Sequence, residues 1–210
     1  DENKGITGIT YNHLNLPTSV SINGNGNVGT ISYIYDATGI KMSKTVSGTT
    51  TNYAGNFVYQ GSSLKFFNHA EGYFDVTGAS SGDVTGDYVY QYKDHLGNVR
   101  LSYKDINNNG SIAQSEILEE NNYYPFGLKH SGYNSVITST NTALKFKYNG
   151  KELEESLGYN MYEYEARHYD AATGRFNVID PLAEDYSTQS TYVYAANNPI
   201  YFIDKKGENP

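Results

Sequence analysis

The chain has no cysteine, no tryptophan, only five prolines among 210 residues and no long apolar run. Without cysteine there are no disulfides and no thiolate metal sites, and the redox compartment stays open. No stretch approaches the roughly 20 apolar residues that a membrane-spanning helix needs, so no membrane insertion is expected of this polypeptide. Positive charge is also scarce: 15 Lys+Arg stand against 23 Asp+Glu, a net charge of −8. Nucleic-acid affinity rests on neutralising phosphates with Lys and Arg, so a nucleic-acid partner is not expected. What is abundant is tyrosine, 22 residues, and glycine, 21 residues. Tyrosine suits half-buried strands, where the ring packs and the hydroxyl reaches a polar partner. Glycine at this density implies many tight turns. The composition predicts an all-β protein of many short strands.

Its pattern is repetitive. Tyr33-Ile-Tyr-Asp-Ala-Thr-Gly39 alternates and ends in an Asp/Gly turn, and Ile40-Lys-Met-Ser-Lys-Thr-Val46 alternates again, which is a hairpin signal. Ile9–Leu16, ending at Pro17, and Tyr88–Gly97, leading into Asn98–Tyr103, are weaker copies. Self-similarity at about 20–25 residues marks a repeat architecture, whose single hairpins cannot bury an apolar face alone and must extend one sheet or stack. A generic β-sandwich is the alternative. The chain opens at Asp1 rather than methionine, as a piece of a longer array would. From about Ala143 the character changes, with Lys145, Lys147, Lys151, Glu152, Glu154 and Glu155 close together. The predicted division is therefore β repeats over 1–142 and a distinct segment over 143–210. Pro181–Asp185 and Thr191–Ala196 each read as one or two helical turns, the first capped by Asp180 with Pro181 at its first position.

Asp105-Ile-Asn-Asn-Asn-Gly-Ser-Ile-Ala-Gln-Ser-Glu116 fits the twelve-residue EF-hand loop. Asp105, Asn107 and Asn109 hold positions one, three and five, and Gly110 permits the sharp turn. Ser111 offers its carbonyl at seven, Ile112 is the apolar eighth residue, and Glu116 sits at twelve for bidentate coordination. The flanks read as strands, so a structural Ca2+ clip set in a hairpin is expected. The alternative is an Asn/Gly-rich loop that binds nothing. Only Asp105 and Glu116 carry charge, and Ala113 at position nine holds no water by its side chain, so affinity is expected at the weak end of the range. The five histidines show no metal-like spacing, and tyrosine ladders are read as strand packing before a sugar platform.

Tyr164-Glu-Ala-Arg-His-Tyr-Asp-Ala-Ala-Thr-Gly-Arg-Phe-Asn-Val-Ile-Asp-Pro181 is followed by Tyr192-Val-Tyr-Ala-Ala-Asn-Asn-Pro-Ile-Tyr-Phe-Ile-Asp-Lys-Lys-Gly207. Together these resemble the Rhs-associated core, in which Arg-Tyr-Tyr-Asp, Gly-Arg-Phe and Asp-Pro elements precede Asn-Pro and Asp-Pro-x-Gly. Asn122-Tyr-Tyr-Pro-Phe-Gly127, Asp94-His-Leu-Gly-Asn-Val-Arg100 and the Tyr-Asp element at Tyr35 extend the resemblance to Rhs/YD-repeat proteins over nearly the whole chain. The resemblance implies a tyrosine-rich antiparallel β shell, secreted or at the cell surface, that encloses a C-terminal passenger, often a toxin, and continues preceding repeats of the same polypeptide. It also implies self-cleavage just past the last element, near Glu208, with Arg167, Asp170, Asp180 and Asp204 carried over as site residues. Two carboxylates sharing one proton supply both base and acid for peptide hydrolysis, and no Cys or Ser/His/Asp motif competes for the role. Asp180 is assigned as base and Asp170 as acid, with the labels interchangeable, and Arg167 as the group that holds one carboxylate ionised or stabilises the oxyanion. Each also has a plain structural reading: an Asx turn for Asp170, a cap for Asp180, a surface ion pair for Arg167. Lys205 replaces the family proline, which puts the setting of the scissile turn in question. A non-enzymatic surface or adhesion module and a carbohydrate-binding β domain are the competing functions.

Overall fold

The computed structural model describes residues 1–80, 82–132 and 141–208. Residues 133–140, just ahead of the predicted division at 142/143, and the end at Pro210 lie outside the described residues.

Eleven strands form one antiparallel sheet in chain order: β1 Ile6–Tyr11, β2 Pro17–Gly24, β3 Asn27–Tyr35, β4 Lys41–Val46, β5 Thr49–Ala54, β6 Phe57–Gln60, β7 Ser63–His69, β8 Gly72–Ser80, β9 Asp83–Lys93, β10 Val99–Tyr103 and β11 Ile117–Glu120. Four more, β12 Glu152–Glu154, β13 Met161–Glu163, β14 His168–Asp170 and β15 Arg175–Phe176, make a second antiparallel sheet. The fold is all-β, as the composition predicted. No helix among the described residues is long and apolar enough to cross a membrane.

The three predicted hairpins share one turn chemistry. The Oδ1 atom of Asn12 accepts from the amides of Leu14 and Leu16, at 2.9 and 3.0 Å. Asp36 Oδ1 does the same with Thr38 and Ile40, at 2.8 and 3.0 Å. Asp94 Oδ1 bonds Leu96 and Asn98, at 3.0 and 3.1 Å. In each case the residue at i+3 (Asn15, Gly39 or Gly97) has positive φ. A short Asx side chain that substitutes for backbone partners at i+2 and i+4 sets the turn and the register of the returning strand.

Alternation then sorts the faces. Val20, Ile22, Ile31, Tyr33, Val58, Phe66, Tyr73 and Val89 point to one buried face. The C-terminal segment covers it: Tyr159 and Met161 join the cluster around Ile31, and Ala143 and Leu144 join the one around Phe66. On the opposite face, the register-matched residues Phe57, Phe67, Phe74 and Tyr88 form a ring ladder with centroids 5.0–5.4 Å apart, strand packing of the kind expected of aromatic cross-strand neighbours.

The two sheets are also joined by buried charge. Lys44 of β4 is 3% exposed and its ammonium lies 2.6, 2.5 and 3.4 Å from Glu152, Glu154 and Glu163. Lys41 reaches Glu152 at 2.6 Å and also pairs with Glu163, while the Tyr53 hydroxyl donates to Glu152 at 2.9 Å. Burial pulls the Lys44 ammonium down, but Glu163 and Glu152 outweigh it and hold its pKa well above the ordinary value.

The predicted helical turns are only partly present. Over Pro181–Asp185 the chain makes successive i→i+3 turns: the Ala183 amide donates to Asp180 O and the Asp185 amide to Leu182 O. In the second stretch a single 3-10 turn spans Ala195–Asn197. Residues 195–197 all carry positive φ, a conformation that does not propagate as a right-handed helix.

Candidate functional site

Arg167 leads into β14 and is 1% exposed, stacked with its Cζ 3.7 Å from the Phe176 ring centroid. A guanidinium at this depth must spend its donors on fixed acceptors, and every nitrogen has one. Nη2 lies 2.6 Å from Asp180 Oδ2 and 3.4 Å from Asp204 Oδ2. Nη1 donates to Thr191 O at 3.2 Å, and Nε donates to Gly207 O at 2.6 Å. One cation thus gathers two carboxylates and a carbonyl from the chain's own tail.

Asp204 holds that tail from the other side. Its Oδ1 accepts from the amides of Lys206, Gly207 and Glu208, at 3.1, 2.6 and 3.2 Å. Asp-x-x-Gly here is the spacing of Asp36-x-x-Gly39 and Asp94-x-x-Gly97, and Gly207 again has positive φ, 77°. The turn forms with the exposed Lys205 where the related pattern has proline, because the Asp204 side chain supplies the restraint. Burial raises the Asp204 pKa above the ordinary aspartate value, against the opposing pull of the Gly207 amide and Arg167. Asp180 plays two roles: Oδ1 caps the following turn through the Leu182 amide at 2.8 Å, and Oδ2 meets Arg167. The Gly207–Glu208 peptide therefore has a guanidinium N–H on its carbonyl oxygen and a carboxyl oxygen beside its nitrogen.

Asp170 was expected to converge with Asp180, and the structure places it elsewhere. Its Oδ1 accepts from the Ala172 amide at 3.0 Å and pairs with Lys4 at 3.2 Å; Arg167 is not among its partners. The reason is strand alternation: positions 167 and 170 are an odd number apart, so they project to opposite faces of β14. Arg167 and Tyr169 face the tyrosine cluster with Phe176 and Tyr194, while His168 and Asp170 face the first sheet and Lys4. The pair brought together on Arg167 is Asp180 with Asp204. Sequence reasoning missed the carbonyls of Thr191 and Gly207. The Asp-x-x-Gly spacing at 204–207, shared with the hairpins, was the available signal for the tail's path.

The 105–116 segment joins β10 to β11. Asp105 accepts through Oδ1 from Asn109 N at 3.1 Å and through Oδ2 from Gly110 N at 2.8 Å. Asn107 Oδ1 shares the Asn109 amide at 3.0 Å, and Asn109 Oδ1 takes the Ser111 amide at 2.8 Å. Glu116 is 3% exposed and reaches back across the loop, Oε1 to Ile106 N and Asn107 Nδ2, Oε2 to Ala113 N. No group of three or more His, Asp or Glu with metal-site geometry exists among the described residues; the loop's oxygens come from two carboxylates, two asparagines and a backbone carbonyl.

No family model matches the chain. Over 115 residues, 55% of its length, it is 35% identical to salivary gland surface protein 1 of Aedes aegypti, of which it covers 3%. It is 26% identical over 190 residues to the tRNA3(Ser)-specific nuclease WapA of Bacillus spizizenii, a match spanning 83% of this chain and 7% of that protein. Among solved structures, TcdB2-TccC3 without its hypervariable C-terminal region superposes with a TM-score of 0.69 at 20% identity, over 97% of this chain and 10% of that one. A Photorhabdus luminescens Tc holotoxin pore gives 0.66 at 18% identity, over 96% and 10%. The chain spans a tenth or less of the length of each of these proteins, and its all-β fold is one it shares with part of the TcdB2-TccC3 toxin complex.

Proposed function

We propose that the chain is the C-terminal part of a secreted or cell-surface Rhs/YD-type β shell, which encloses a C-terminal passenger and severs it by hydrolysing its own Gly207–Glu208 bond. The observation that carries the reading is that Arg167 and Asp204 meet that one peptide at its carbonyl oxygen and its nitrogen, with Asp180 bound to the same guanidinium. Peptide hydrolysis needs a base for water, a stabiliser for the carbonyl oxygen and a proton for the departing amine. Asp180, paired with Arg167, takes the proton from water. The hydroxide equivalent adds to the Gly207 carbon, and Arg167 receives the oxyanion. Asp204, the carboxyl whose proton affinity burial raises, lies 3.2 Å from the Glu208 nitrogen and protonates it as the C–N bond breaks. The products are a Gly207 carboxylate and a free amine on residue 208. The resemblance to Rhs-associated cores, the toxin complexes that share the fold and the nuclease and surface proteins that share sequence all support a passenger-bearing, exported context.

Intact-mass spectrometry of the protein expressed with its native sequence around residues 207–208 tests this. The wild type is expected to end at Gly207. Asp180→Asn and Asp204→Asn are expected to keep the residues beyond it, while Asp170→Asn is cleaved like wild type. A wild-type chain that stays whole, or an Asp180→Asn chain cut at the same place and rate, overturns the reading and favours a non-enzymatic display module.

A further inference from the structure

The proposed cleavage leaves the 105–116 loop without a part to play. Asn108 and Gly110 have φ of 55° and 75°, and these turns set the oxygens of Asp105 and Asn107 on one shared amide, that of Asn109. Glu116 closes the loop from its far end, in contact with the Asn107 side chain. An independent observation comes from the charge balance of the interior. Seven carboxylates are buried among the described residues: Glu116, Glu119, Glu152, Glu154, Asp170, Asp180 and Asp204. Glu119 pairs with Lys147, Glu152 and Glu154 with Lys44, Asp170 with Lys4, and Asp180 and Asp204 with Arg167. Glu116 has amide donors but no cationic side chain, and stands as the exception. A buried carboxylate without a countercharge is costly, and this one lies across the same loop whose Asp105, Asn107 and Asn109 oxygens are turned onto loop amides.

We propose that the loop binds one Ca2+, with Asp105, Asn107, Asn109 and Glu116 contributing side-chain oxygens and Ser111 its carbonyl, the ion supplying the charge that Glu116 lacks. The donor set is all oxygen, which suits a hard cation. The long loop closed by a glutamate suits the larger, less geometrically demanding calcium over magnesium. Ala113 leaves the ninth position to water. With two formal charges in the ligand set, the dissociation constant falls on the order of 10⁻⁴ to 10⁻³ M. The site acts as a clip between β10 and β11: β11 carries Leu118 into the core and Glu119 to Lys147, so the ion fixes the strand to which the C-terminal segment is anchored.

Calorimetric titration of calcium into EDTA-treated, dialysed protein, with thermal melts alongside, is the test. Expected are one ion per chain, a melting temperature that climbs with calcium, and at least about tenfold weaker binding of magnesium. Glu116→Gln should abolish the response. Because Glu116 also bonds loop amides, a second variant carries the test without threatening the fold: Asn107→Asp with Asn109→Asp adds two carboxylates to the loop and should tighten calcium binding about tenfold or more. No saturable binding to the wild type by about 10 mM calcium, an equal response to magnesium, or an affinity unmoved by the aspartate pair would each overturn the proposal.

Discussion

His168 offers a sharp test of how the two sheets are joined. Its ring is 2% exposed, Nδ1 lies 2.9 Å from the Tyr159 hydroxyl, and its edge meets the Tyr33 ring at a centroid distance of 5.4 Å. Burial pulls its pKa down to about 4, with Glu163 opposing the shift and Lys41 and Lys44 adding to it. In the unfolded chain a histidine takes up its proton near pH 6.5. The folded imidazole stays neutral well below that, so between about pH 6.5 and 4 the unfolded state binds the extra proton. Stability that is intact above this window is therefore lost as pH falls through it, at about 1.4 kcal/mol per pH unit, or about 2 kcal/mol by pH 5. Burial opposes ionisation of Glu152 and Glu154, but Lys41 and Lys44 hold the first below the ordinary range and Lys44 and Lys145 the second. Their contribution is present above about pH 4.5 and fades mainly below it, and groups common to wild type and a His168 variant cancel in the comparison between them. Urea unfolding of wild type and His168→Gln at pH 7.5, 6.0 and 5.0 reads the effect. The variant carries a constant offset from its lost contacts, and the wild type should lose about 2 kcal/mol more than the variant between pH 7.5 and 5.0. Parallel pH profiles would refute the argument that this imidazole is buried neutral in the folded state.

Two further perturbations test the packing. Lys44→Met strands Glu152, Glu154 and Glu163 around an apolar group, and removal of one partner from a buried ion pair costs about 3–5 kcal/mol; denaturant melts of Lys44→Met and of Lys44→Met with Glu154→Gln should show the single variant as the less stable. Gly86→Ala puts a Cβ 2.0 Å from Asp75 O and 2.7 Å from Phe74 Cε1, so the β8–β9 pairing must shift, and a loss of about 1–3 kcal/mol is expected by the same melts.

The hairpins were legible because their cause is local. Asn12, Asp36 and Asp94 each set a turn with their own side chain, and the flanking strands alternate with period two. Arg167, Asp180 and Asp204 were named as site residues from the order of motif elements. The assignment of Asp170 as the partner of Asp180 failed to allow for the pleat of β14. The charge-rich stretch after Ala143 was visible, but not what it answers. Lys44 lies in the alternating run Ile40–Val46, where a lysine reads as a solvent-facing residue, yet it sits opposite Tyr33 on the covered face. Its carboxylate partners lie more than 100 residues away in sequence, and no local pattern announces a pairing made only when the second sheet docks. The same holds for the Thr191 and Gly207 carbonyls, since a backbone acceptor leaves no mark in composition.

The turn at 204–208 connects the repeats to the proposed chemistry. In the hairpins, an Asx oxygen that accepts amides at i+2 and i+4 turns the chain, and the residue is exposed or half-buried. At Asp204 the same arrangement is buried to 1% exposure and set against Arg167. Burial changes what such a carboxyl can do: in water it is an ordinary ionised cap, whereas in a desolvated site its proton affinity rises and the amide at i+4 lies beside a potential acid. The guanidinium adds the second requirement by polarising the preceding carbonyl. A repeat turn needs only these two changes, desolvation and one convergent cation, to become a place where a peptide bond is addressed from both ends. That is why Arg167, which touches Asp180, Asp204 and Gly207 at once, is the residue on which the site's geometry depends.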